Sequence, residues 1–199
     1  MIRASLRFLK WQYYFLNENL NRVKNENTKF IVVLGINLVT VCMLTLVNSR
    51  LSQWGIFLYL PGLFFFLSCM FLESKRGVII CLLTGCFLDI ILNTPIGFHG
   101  LFLTLFHTLG KEWLRGSGNY KLWRSVIFQL CTNTLLGIVW FLWLFSSNQL
   151  EMQWPFSRFC SDIFLSSIFI IPLGFWLSQV AGQLMTPITN HSFKAESQL

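Results

Sequence analysis

Charge is what this sequence has least of. Only 12% of its 199 residues are Asp, Glu, Lys or Arg, whereas a soluble domain carries about a quarter. The few charges collect between long apolar runs, and 54% of the residues are hydrophobic. That pattern excludes an ordinary water-soluble domain and points to a chain solvated mostly by lipid. A separate soluble domain is excluded too, because the longest polar stretch, residues 1–29, is too short to bury a core. The six cysteines supply no disulfide or metal framework. Cys42, Cys69, Cys81, Cys86 and Cys131 fall inside apolar runs and Cys160 beside one, where they read as small apolar fillers. A secretory leader is lacking as well: Arg3, Arg7 and Lys10 interrupt the first apolar residues, and no small-residue cleavage site follows.

Catalytic signatures are equally scarce. There is no Gly-x-Ser-x-Gly elbow and no phosphate-binding glycine loop. Gly116-Ser117-Gly118 reads as a flexible turn in a basic loop. Apart from Asp89, no acid is expected inside an apolar run, and no further ligand joins Asp89, His99 and His107 at metal-site spacing. The expectation is a protein with no enzymatic activity, no metal and no cofactor.

What is present is a run of six apolar segments, at residues 30–48, 54–72, 77–92, 96–110, 122–145 and 163–185. An all-α membrane protein with six transmembrane helices is the expected fold, since a helical crossing takes about 20 apolar residues. The expected organisation is a basic N-terminal segment at 1–29, a six-helix domain at 30–185 and a tail at 186–199. In the first segment Leu6, Leu9, Tyr13 and Leu16 recur at helical spacing among Arg and Lys. That suits an amphipathic helix on an anionic membrane surface, with a polar linker at 17–28, or else a solvated tail.

Orientation follows from counting Lys and Arg between the segments. Alternate connections carry thirteen against two. The positive-inside rule then places both ends in the cytoplasm and the uncharged turn at residues 93–97 on the outer face. The same bias accounts for the net charge of +7 better than a nucleic-acid partner does.

Small and polar residues recur every fourth position in three of the segments. One stripe is Gly77, Cys81, Gly85, Asp89; a second is Ser125, Gln129, Asn133, Gly137; a third is Ser166, Gly174, Ser178, Gly182, with Ile170 interrupting. Such stripes pack membrane helices together, or line a cavity, or dock another protein's helix. Asp89 stands out because an intramembrane carboxylate needs a partner. It lies five residues before Thr94 and His99 five after, so an antiparallel hairpin brings the two level. Asp89 then meets His99, or lies shallow enough to reach water. Asn93 or Thr94 can cap a helix, and Pro95 suits a first helical turn.

Lys75-Arg76-Gly77, then Gly85-Cys86-Phe87-Leu88-Asp89, then Pro95-Ile96-Gly97-Phe98-His99-Gly100 resembles the MreD family of bacterial rod-shape-determining membrane proteins. That family shows Gly-x-x-x-Asp at the end of one helix and Pro-Leu-Gly-x-His opening the next; Ile96 stands in for the usual Leu. Pro61 looks like the family's helix-two proline, although Gly62 follows where an acidic or amide residue is common. The resemblance implies a non-enzymatic inner-membrane scaffold of the cell-wall elongation machinery. Its partners would be an MreC-like membrane protein, an MreB-type cytoskeleton and the wall-synthesis enzymes. Gly85, Asp89, Pro95, Gly97 and His99 would shape the hairpin that meets the partner. The family is also similar to the solute-binding membrane subunits of energy-coupling-factor transporters. That role is the alternative, with Gln129, Asn133 and Asp89 lining a solute cavity.

Overall fold

A computed structural model describes the backbone of residues 2–114, 121–146 and 156–196, and the side chains of 26–114, 124–146 and 156–184. The expected amphipathic face of residues 1–16 and the side chains of the tail lie outside these. Among the described residues the chain is all helical: α1 (Ile2–Leu51), α2 (Phe66–Phe71), α3 (Ser74–Leu92), α4 (Phe98–Leu114), α5 (Lys121–Ser146) and α6 (Phe156–Glu196). The α1 backbone is continuous through residues 17–28, so the expected linker there is helical. The reason is local: no Gly precedes Gly35 and no Pro precedes Pro61, so nothing breaks the helix.

Three helical stretches are long and apolar enough to cross a membrane: Glu26–Trp54, Arg124–Ser146 and Phe156–Leu184. The distribution of polarity is the reverse of a water-soluble protein's. Ile31, Val39 and Leu46 of α1, Leu101 and Leu105 of α4, and Phe164 and Trp176 of α6 are exposed. Asn37, Thr84, Asp89, His99, His107, Gln129, Asn133, Asp162 and Ser166 are buried. Such an arrangement is stable where the surrounding medium is hydrocarbon and polar groups find partners only inside.

The second apolar segment departs most from expectation. A single helix over 54–72 is replaced by a broken path. A 3-10 turn, Ser52–Trp54, ends α1 at Gly55, which adopts φ +73°. Residues 56–60 form no regular element, a second 3-10 turn follows at Pro61–Leu63, and α2 is only six residues long. Gly55 accepts the left-handed conformation that stops a helix. Pro61 lacks an N–H and its ring pushes Leu60 out of helical geometry. Leu60 accordingly sits at φ −124°, ψ 33°.

Around this segment α1 packs on α3 and α6, α5 packs on α6 and on Pro61–Leu63, and α3 lies along α4. One apolar cluster gathers Val33, Leu60, Leu63, Leu67, Ile80 and Ile170; another gathers Phe64, Phe65, Leu103, Leu136 and Trp140. The broken segment contributes to both and is the centre of the bundle.

Candidate functional site

Asp89 and His99 meet as the hairpin geometry predicts. Asn93, at φ +51°, ends α3, and Thr94 N–H donates to the Asp89 carbonyl at 3.0 Å. Gly97, at φ +99°, then turns the chain into α4; a side chain there would be strained. The Asp89 carboxyl group gathers four donors. Oδ1 accepts from Thr94 Oγ1 at 2.7 Å and from His99 N–H at 2.9 Å, and lies 2.7 Å from His99 Nδ1. Oδ2 accepts from Gly97 N–H at 2.8 Å. Asp89 therefore closes its own turn and caps the start of α4, where backbone N–H groups lack helical partners and a negative charge is favoured.

His99 continues the network. Its Nε2 lies 2.9 Å from the Tyr59 hydroxyl. With the ring proton on Nδ1, facing Asp89, Nε2 accepts from Tyr59. Tyr59 in turn stacks on Trp140, with ring centroids 4.9 Å apart. Asp89 and His99 are fully buried and Tyr59 is 3% exposed, so Asp89 does not reach water. Sequence reasoning found Asp89, His99 and Thr94 and missed Tyr59. The signal was a lone tyrosine inside an apolar run, just before Pro61.

The stripe Gly77, Cys81, Gly85, Asp89 faces α4. A Cβ on Gly85 would collide with the backbone of Gly100 and His99, and one on Gly77 with the His107 ring. Cys69 Sγ lies 3.3 Å from His107 Nδ1, so His107 is a packing residue between α2, α3 and α4. Pro95 and Ile96 are exposed at the tip of the turn.

The second stripe has a different purpose from helix packing alone. Asn133 Nδ2 donates to the Tyr59 carbonyl at 2.9 Å, and its Oδ1 accepts from Gly62 N–H at 3.1 Å. Asn48 makes the same two-point contact with Leu58, both bonds 2.9 Å. Ser166 Oγ accepts from Tyr59 N–H at 2.8 Å and Asp162 Oδ1 from Phe57 N–H at 3.1 Å. Asn37 Nδ2 donates to the Phe64 carbonyl at 2.9 Å. These side chains replace the hydrogen bonds that a helix would have made for itself. Asp162 is a second buried acid in an apolar helical stretch: α6 starts at Phe156, ahead of the expected residue 163, and Asp162 is 3% exposed.

Gly62 lets α5 approach, since a Cβ would lie 2.7 Å from the Gln129 carbonyl. Gly174 makes room for the Gln129 side chain on α6, and Gly137 for Ile163. The Gln129 amide has no hydrogen-bond partner among the described residues. Ser178 bonds within its own helix, to the Phe175 carbonyl at 2.7 Å, and no described atom lies within 4 Å of a Cβ on Gly182. Ser178 thus spends its hydroxyl locally, and a Cβ added at Gly182 would meet open space among the described residues. Among the described residues no cluster of His, Cys, Asp and Glu is arranged to hold a metal ion.

No protein-family model, no curated protein and no solved structure matches this chain.

Proposed function

We propose that this protein is a non-enzymatic scaffold of the bacterial inner membrane, similar in role to MreD. It crosses the membrane six times with both ends in the cytoplasm and joins an MreC-like partner to the lateral wall-synthesis machinery and an MreB-type cytoskeleton. The observation that carries this reading is the Asp89 knot. The residues of the resemblance, Gly85, Asp89, Gly97 and His99, all serve to hold one rigid turn. Their polar atoms are spent on each other and on Tyr59, which suits the presentation of a fixed surface better than chemistry.

Six crossings are compatible with the dimensions. Helical residues rise about 1.5 Å each, so α3 and α4 span somewhat under 30 Å each, against a hydrocarbon core of about 30 Å. The excess of basic residues on one side supports the orientation. The basic N-terminal segment would then meet anionic lipid.

The transporter-subunit alternative draws less support. Asn133 and Asp89 are occupied with backbone groups.

The test is co-purification from native membranes. Asp89→Ala should leave a chain that still inserts and accumulates but no longer co-elutes with an MreC-like protein. Unchanged co-elution at normal expression would remove the hairpin from partner binding.

A further inference from the structure

At the end of the bundle that carries the α3–α4 turn lies a cavity of about 280 Å³. Its walls are the last turns of α1 (Val41, Leu44, Thr45, Asn48), the non-helical residues Phe57 to Leu60 with Pro61, and the last turn of α3 (Leu88, Ile91, Leu92). We propose that this cavity holds one acyl chain of a bilayer phospholipid, taken from the leaflet next to the turn. The inference goes beyond the scaffold reading and rests only on the bundle sitting in a bilayer.

Three observations select that occupant. No charged side chain lines the cavity, so an ionised solute gains nothing there and loses its hydration. The polar side chains on the wall are already engaged. Thr45 donates to the Val41 carbonyl, Ser49 to Leu46 and Ser52 to Ser49; Asn48 is held by Leu58 and Tyr59 by His99. A polar solute finds few free donors, whereas hydrocarbon needs none. The third observation is size and direction. Thr45, Ser49 and Ser52 are exposed and form the mouth, while Val41, Leu44, Leu60 and Leu88 form the floor. An apolar cavity of about 150 Å³ accepts a benzene-sized molecule. One nearly twice as large takes roughly a dozen chain carbons, with the ester region of a lipid left at the hydroxyl-lined mouth.

The experiment uses the full chain in vesicles of phosphatidylethanolamine and phosphatidylglycerol. These carry a trace of phosphatidylcholine with a diazirine midway along one acyl chain. After photolysis, labelled peptides are mapped by mass spectrometry. Labelling should concentrate on the cavity walls. Leu44→Trp and Ile91→Trp, which fill the cavity from opposite sides, should each reduce it about tenfold, the loss expected when two methylene groups are excluded. Labelling at the exposed Leu101 and Leu105 of α4 should stay constant. Two variants keep the test open should one fail to fold. A parallel arm places the same diazirine on a free fatty acid, which should label the walls less than the phospholipid. Wall labelling no denser than on α4, labelling unchanged in a folded variant, or a preference for the free acid would each overturn the proposal. Loss of partner binding in the Asp89→Ala chain would leave this result unaffected, so the two readings fail separately.

Discussion

At Gly85 the α3 backbone rests against the α4 backbone with no space for a methyl group, whereas a Cβ at Gly182 would have no described atom within 4 Å. The two glycines looked alike in the sequence, each in a stripe of small residues. Their substitutions should diverge. Gly85→Ala should destabilise the fold by about 1–3 kcal/mol or more, because backbone cannot yield as a flexible side chain does. Gly182→Ala should be neutral or stabilise by up to about 1 kcal/mol through helix propensity. Thermal unfolding in detergent, followed by tryptophan fluorescence, measures both, and equal effects would refute the close approach at Gly85. Asp89 and His99 were legible from spacing alone, since they are ten residues apart across a short turn. Tyr59 was not, because it is 40 residues from His99 and nothing local marks the contact.

The second apolar segment is the element where sequence reasoning went furthest astray. Hydropathy over 54–72 is that of a spanning helix, and the composition of a broken apolar segment is the same. Pro61 was visible, but its consequence depended on whether other helices could satisfy the freed backbone groups. They do, through Asn48, Asn133, Asp162 and Ser166. Backbone carbonyls and N–H groups carry no residue identity, so the partner of Asn133 could not be read from the chain. Asn133→Leu removes both its bonds and should cost about 1–3 kcal/mol for each of the two backbone groups left bare. Leu135→Ala, on the exposed face of the same helix, is the control and should change little. If the two variants have the same unfolding midpoint in a denaturant series, side-chain support of the broken segment is not what holds it.

For the molecule as a whole, the proposed six-span arrangement would place Ile96, exposed at the tip of the α3–α4 turn, outside the cytoplasm and Ser74, at the start of α3, inside it. In a chain with the native exposed cysteines replaced, Ile96→Cys should react with a membrane-impermeant maleimide in intact spheroplasts. Ser74→Cys should react only after the membrane is opened. The reverse pattern would invert the topology, and equal access would undo it. The sequence by itself determined the scarce and segregated charge that marks apolar surroundings, the charge bias on which the proposed orientation rests, and the Asp89–His99 turn. Each of these is either a bulk property or a contact between near neighbours, and both survive without knowledge of packing. Only the tertiary structure decided that the second segment is broken, which side chains repair it, and that an apolar cavity with an open mouth forms beside it. Asn48 reaches Leu58 from ten positions away, but Asn133, Asp162 and Ser166 hold backbone 71 to 107 positions distant. These contacts arise where several helices meet around backbone that no single helix could satisfy.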